Sequence, residues 1–260
     1  MHIPIRRGLH LGHSITTAVL LGLGAKRAGA QRTTHVNFNS WYALGAEAWL
    51  TNQWSVSLDL QERRSGPIRQ PQAFFFRPFL SYALVPGAKL GLGVARSESY
   101  PYGTIPNAYQ APEWRIFEQL QLAHTVDRVS ITHRYRVEQR FQGRRGADTS
   151  DHRIVSWLRL GRVRYQLKGV LPLHGKTIGV GGGYLTASDE VAVGFGKNVT
   201  GNVFDQNRAA VGAGVRFARE WRTEIGFLQQ TLLKPNGKDL EQNPTLTFGF
   251  YYSRGGKEKD

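Results

Sequence analysis

Apolar and polar residues alternate with a period of two along almost the whole chain beyond its N-terminal segment. Trp54, Val56, Leu58 and Leu60 interleave with Ser55, Ser57, Asp59 and Gln61. Phe74, Phe76, Leu80, Tyr82 and Leu84 share one parity, and Leu90, Leu92 and Val94 alternate with Gly91, Gly93 and Ala95. Val129, Ile131, Tyr135, Val137 and Phe141 interleave with Ser130, Thr132, Arg134, Arg136, Glu138 and Arg140. The same holds for Val163, Tyr165 and Leu167, for Ala209 to Phe217, and for Leu246, Phe248, Phe250 and Tyr252. A spacing of two puts successive side chains on opposite faces of a strand. The pattern predicts strands over 41–50, 54–64, 72–85, 88–99, 113–125, 128–141, 151–168, 177–195, 204–217, 221–233 and 243–253.

The connections between these segments alternate in length. Short ones fall at 51–53, 86–87, 126–127, 169–176 and 218–220, and longer ones at 65–71, 100–112, 142–150, 196–203 and 234–242. Short turns at one end and longer loops at the other are the signature of an up-and-down barrel. Bacterial barrels usually have an even strand number. Residues 31–40 are therefore expected to supply a short, oppositely directed first strand, giving twelve, with ten as the alternative.

One face of the segments is greasy and aromatic, and the other is rich in Arg, Glu, Gln and Gly. Strands of about 10–14 residues match a tilted bilayer crossing, whereas strands in soluble sandwiches are nearer 5–6 residues. The expected fold is all-β: one closed antiparallel transmembrane β-barrel over 31–260. A mean hydropathy of −0.38 excludes a polytopic helical membrane protein. The absence of cysteine removes disulfides, thiolate metal sites and thiol catalysis. A formal charge of +15 would suit nucleic-acid binding. However, the basic residues alternate with apolar ones inside strands and form neither a tail nor a helical stripe, so no nucleic-acid partner is expected.

Residues 1–30 read as a secretory signal peptide. Arg6 and Arg7 form its basic start, Ile15 to Leu23 its apolar stretch, and Ala28-Gly29-Ala30 a small-x-small site before Gln31. The expected location is the outer membrane of a Gram-negative bacterium. The expected partners are outer-membrane lipid and lipopolysaccharide, the barrel assembly machinery and small anions. Phe250, Tyr251 and Tyr252 offer the assembly machinery an aromatic end, although the chain continues to Asp260.

The candidate chemistry is a charged ladder. Arg134, Arg136, Glu138 and Arg140 lie on one strand and Arg162, Arg164 and Lys168 on the next, with Glu113, Arg115, Gln119, Glu190, Arg208 and Glu224 on the same face. Charges facing lipid at the midplane would cost about 2–4 kcal/mol each for Arg or Lys, so the ladder is expected to face the lumen. Either it forms a paired network that fills the barrel, or it lines a basic pore or anion pocket. Glu118 falls on the apolar parity, which points to a bulge or a position near a membrane interface. A bulge at Gly161 would return Arg159 to the lumen. Gly179 to Gly183 read as a glycine-rich strand. No catalytic residue, cofactor or metal site is expected: His133, His152 and His174 lack ligand spacing, and no nucleophile elbow surrounds a serine. The functional expectation is a structural barrel or small channel, with a barrel enzyme acting on lipid or lipopolysaccharide as the alternative.

Several of these segments resemble domain-of-unknown-function family 2490. They are Glu113-Trp114-Arg115-Ile116-Phe117-Glu118-Gln119, His133-Arg134-Tyr135-Arg136-Val137-Glu138-Gln139-Arg140, Arg162-Val163-Arg164-Tyr165, Phe204-Asp205-Gln206-Asn207-Arg208 and Glu224-Ile225-Gly226-Phe227. The likeness runs over roughly 41–253. It implies an outer-membrane barrel without an assigned activity, and it carries over no catalytic residue.

Overall fold

The computed structural model describes residues 32–66, 68–146 and 153–255. The expected signal peptide and its cut after Ala30 lie outside the described residues. Twelve strands form, and the described residues contain no helix: β1 (Thr33–Val36), β2 (Asn39–Trp49), β3 (Trp54–Ser65), β4 (Gln70–Val85), β5 (Ala88–Ser99), β6 (Ala111–Val126), β7 (Val129–Arg145), β8 (Ile154–Pro172), β9 (Gly183–Phe195), β10 (Phe204–Val215), β11 (Trp221–Leu233) and β12 (Asp239–Arg254). From β2 to β12 each strand pairs with its sequence neighbour, antiparallel, and β12 closes the ring on β2.

The closure differs from the even-numbered expectation. Eleven strands make the ring, so the first and last run the same way and pair in parallel, from Thr245↔Asn39 to Arg254↔Ala48. The short first strand is present, but β1 is not an oppositely directed partner of β2. It pairs in parallel with β12 from Thr33↔Asp239 to Val36↔Gln242, which is the register that β2 continues. Together β1 and β2 act as one long strand interrupted at Asn37 and Phe38. The break is held locally: Asn37 Nδ2 donates to Asn243 Oδ1 at 3.2 Å, and Asn37 Oδ1 accepts the Thr104 amide at 3.0 Å.

Following backbone partners around the ring from Trp49 on β2 leads through β3 to β12 and returns at His35 on β1, a displacement of 49 − 35 = 14 residues. For eleven strands at ordinary spacing, that shear requires a tilt of about 40° and a backbone radius of about 11 Å. The 11-residue β2 then rises about 25–30 Å, close to the height of a barrel's apolar band.

The alternation is resolved as the sequence pattern requires. Glu113, Arg115, Phe117 and Gln119 of β6 are buried toward the interior, whereas Trp114 and Ile116 are exposed. Phe117 fits inside because Gly93 faces it: a Cβ there would lie 2.4 Å from the ring. Three local expectations are corrected. Glu118 stays outward in the middle of β6, opposite Leu92 and Val137, because the registers of β6 with both neighbours are unbroken. Arg159 also stays outward, since β7 and β8 pair without a shift through Gly161; that glycine instead makes room for the Phe195 ring. Gly179 and Gly181 belong to the connection 173–182 rather than to a strand, and Gly181 adopts φ 81°. This connection is the long exception among the otherwise short turns at its end of the barrel.

The parallel seam yields a direct test. The natural chain has no cysteine, so the pair Ala48→Cys and Arg254→Cys should cross-link on mild oxidation. The pair Ala48→Cys and Leu246→Cys, on the same outer face, should not. Cross-linking of the second pair alone would indicate antiparallel closure.

Candidate functional site

Burial of charge is the dominant feature of the interior. Glu138 is 1% exposed and Arg164 6% exposed, so each must find a partner within the barrel. The Glu138 carboxylate accepts Arg162 Nε at 2.8 Å and Arg164 Nη1 at 2.9 Å, and Arg136 Nη1 lies 3.9 Å away. Arg162 donates its Nη1 to Asp205 Oδ2 at 2.8 Å. Arg164 extends to Glu190, which also accepts Arg134 at 2.7 Å and Arg208 at 3.4 Å. A second cluster lies nearer the loops. There Glu113 pairs with Arg115, takes two bonds from Arg140 at 2.6 and 2.9 Å, and takes one from Gln142 at 2.8 Å. Lys168 and Glu224 stand apart, 3.5 Å from each other toward the turn end, where the Tyr184 hydroxyl donates to Glu224 at 3.0 Å.

All twelve charged residues singled out from the sequence thus point into the barrel. They form two clusters and one separate pair, not a single ladder. The pairing follows from strand register: Glu138 sits opposite Arg162 and diagonal to Arg164, so it reaches both, whereas Arg136 faces the like-charged Arg164 and donates instead to Gln119.

Sequence reasoning missed the other half of this interior. The Arg63 guanidinium lies 3.6 Å from the Trp41 ring centroid and 4.4 Å from that of Phe75, a cation–π stack in the lumen. Arg208 approaches Trp41 at 5.1 Å, and Arg136 approaches Phe117 at 4.3 Å. Trp41 is anchored by its Nε1–H donating to Gln72 at 2.9 Å. Arg77 pairs with Asp59 at 2.9 Å. The parity of Asp59, Gln61 and Arg63 was available in the sequence. Phe75 was hidden inside the run Phe74-Phe75-Phe76, which shows no alternation.

These side chains form a layer, the septum, between two spaces inside the barrel. A cavity of about 640 Å³ lies on the loop side, and one of about 240 Å³ on the turn side. Arg63, Arg77, Arg164 and Arg208 line both. The loop between β5 and β6 reaches into the larger space, where the Tyr102 hydroxyl donates to Glu241 at 3.2 Å. Burial, reinforced by that carboxylate, holds the Tyr102 phenol above the ordinary tyrosine range.

The family model described as "Protein of unknown function (DUF2490)" matches residues 38–241, a span that holds every member of the Glu138 and Glu113 clusters. The chain belongs to that family. No curated protein and no solved structure matches it. Membership in the DUF2490 family accords with the motif likeness over β6, β7 and β8, and it assigns no reaction. Among the described residues, no group of three His, Asp or Glu side chains is arranged to hold a metal. His133 shares its Nδ1 with the Tyr165 hydroxyl at 2.9 Å on the outer face, away from the charged interior.

Removing Glu138 takes the shared carboxylate from Arg162, Arg164 and Arg136 at once. Glu138→Ala should destabilise the folded barrel by about 3–5 kcal/mol, measured by denaturant unfolding in detergent. A change below about 1 kcal/mol would mean that the pair is screened by water as at a surface.

Proposed function

We propose that this DUF2490 protein is an integral outer-membrane barrel, exported on residues 1–30, in which residues 31–260 form one domain with a non-enzymatic, structural role. The observation that carries this reading is the inversion of the surface. Mid-strand Leu92, Val211 and Ile225 are each more than half exposed on the outside, while the ion pairs of Glu138 and Glu190 occupy the inside. An apolar belt encircling a polar core is unfavourable in water and suited to hydrocarbon.

The outer face also changes character along the strands. Toward the loop end it carries Glu62 with Arg64, Arg96 with Glu98, and Arg159 donating to Gln139. Such pairs suit the headgroups of lipid and lipopolysaccharide, where charge meets water. Two carboxylates interrupt the belt itself, Glu118 and Asp189; the latter accepts Asn207 Nδ2 at 2.8 Å. Acidic side chains on a lipid face cost less than Arg or Lys at the same depth. The septum favours a filled structural barrel over an open channel.

Val137 is exposed on the outer face opposite Glu118 and Val163. Val137→Arg should lower folding stability in bilayers by about 2–4 kcal/mol, while Val137→Leu should be neutral. Wild type should sediment with outer membranes on fractionation. Recovery of folded wild type in a soluble fraction, or equal bilayer folding of the two variants, would refute the membrane assignment.

A further inference from the structure

The smaller, turn-side cavity has a charge imbalance that its own walls do not resolve. Arg63, Arg77, Arg134, Arg136, Arg164, Arg208 and Lys168 line it, seven cations against the three carboxylates of Asp59, Glu190 and Glu224. Each of those carboxylates is already engaged: Asp59 by Arg77, Glu190 by Arg134, Arg164 and Arg208, and Glu224 by Lys168. Two of the arginines depend mainly on neutral amides. Arg63 donates from Nε and Nη2 to Gln61 Oε1 at 2.9 and 2.6 Å, and Arg136 donates twice to Gln119 Oε1 at 3.2 and 2.7 Å.

A second observation is independent of this count. The Nε–H groups of Arg77, Arg164 and Arg208 are buried and have no acceptor in the protein, although Arg77 and Arg164 are themselves at least nine-tenths buried. A buried donor without an acceptor costs free energy, and a buried cation without a counter-charge costs more. Three incompletely satisfied guanidinium groups in the walls of one small space, with seven cations there against three carboxylates and the adjoining Glu138, match the needs of an oxyanion, whose several oxygens accept from separate guanidinium groups. Thr186 and Ser188 add neutral hydroxyls to the same wall.

We infer that the cavity on the turn side of the septum is a binding site for a small multivalent oxyanion of the phosphate or sulfate class. Arg77, Arg164 and Arg208 form its donor set and Arg63 provides long-range charge. The site is walled by a continuous sheet, so its ligand enters from an aqueous end as a free ion and not as a lipid headgroup. The anion completes the neutralisation that Glu138, Glu190 and Asp59 begin, and thereby stiffens the septum. This inference concerns the lumen and stands apart from the membrane assignment.

The test uses the full-length chain folded in lipid-free detergent, with inorganic phosphate as the probe. Calorimetry should show saturable binding at one site, and phosphate should raise the thermal midpoint more than chloride at equal ionic strength. Two variants locate the site. Arg208→Gln should weaken phosphate binding about tenfold through loss of a charge-assisted donor. Gln61→Glu keeps the side-chain size while giving Arg63 and Arg77 a resident carboxylate. It should raise the midpoint in phosphate-free buffer and abolish the further rise on adding phosphate. Absence of saturable binding would overturn the inference. So would equal stabilisation by chloride, or unchanged phosphate affinity in Gln61→Glu.

Discussion

The ion pairs that join Glu138 to Arg162 and Arg164 tie strand register to the interior on which the whole barrel depends. A sheet of eleven strands encloses a space too wide to be closed by backbone alone, and side chains must fill it. Here the filling is charged, so the buried charges need counterparts inside the barrel. Register supplies the match. Glu138 on one strand lies opposite Arg162 and diagonal to Arg164 on the next, and Glu190 on the third takes the other end of Arg164. The aromatic rings of Trp41, Phe75 and Phe117 then take up arginines that carboxylates do not reach.

The same constraint explains the outside. Once the polar parity of each strand turns inward, the apolar parity must turn outward, where Leu92, Val94, Val137 and Val211 have no protein to pack against. On the proposed reading, that apolar outside faces hydrocarbon. Glu118 and Asp189 are the departures from that rule, and the unbroken registers around them show that neither is a slip of pairing.

Much of this was legible because period two is a local property. The parity of Val129 to Phe141 assigns each side chain to a face without reference to any other strand, and the charged residues chosen by parity all point inward. What was not legible is non-local. Whether β2 and β12 meet in parallel depends on residues about two hundred positions apart, and the usual even strand count gave no hint of an odd ring. The arginine–aromatic stack was obscured because aromatics usually mark the membrane-facing side, whereas Trp41 and Phe75 face the lumen. Asp205 escaped because a register irregularity between Phe204 and Gln206 turns it toward Arg162. In Gly179 to Gly183 only Val180 carries a side chain, so its period of two with Ile178 was too little to tell turn from strand.

The central claim is that paired arginines and carboxylates close the lumen. Single-barrel recording of the wild-type protein in a planar lipid bilayer tests it most directly. A sealed septum predicts a baseline without steady conductance at moderate voltage, in either polarity. A stable, ohmic, anion-selective conductance from the folded wild-type barrel would show that the same arginines line water, and would contradict the account.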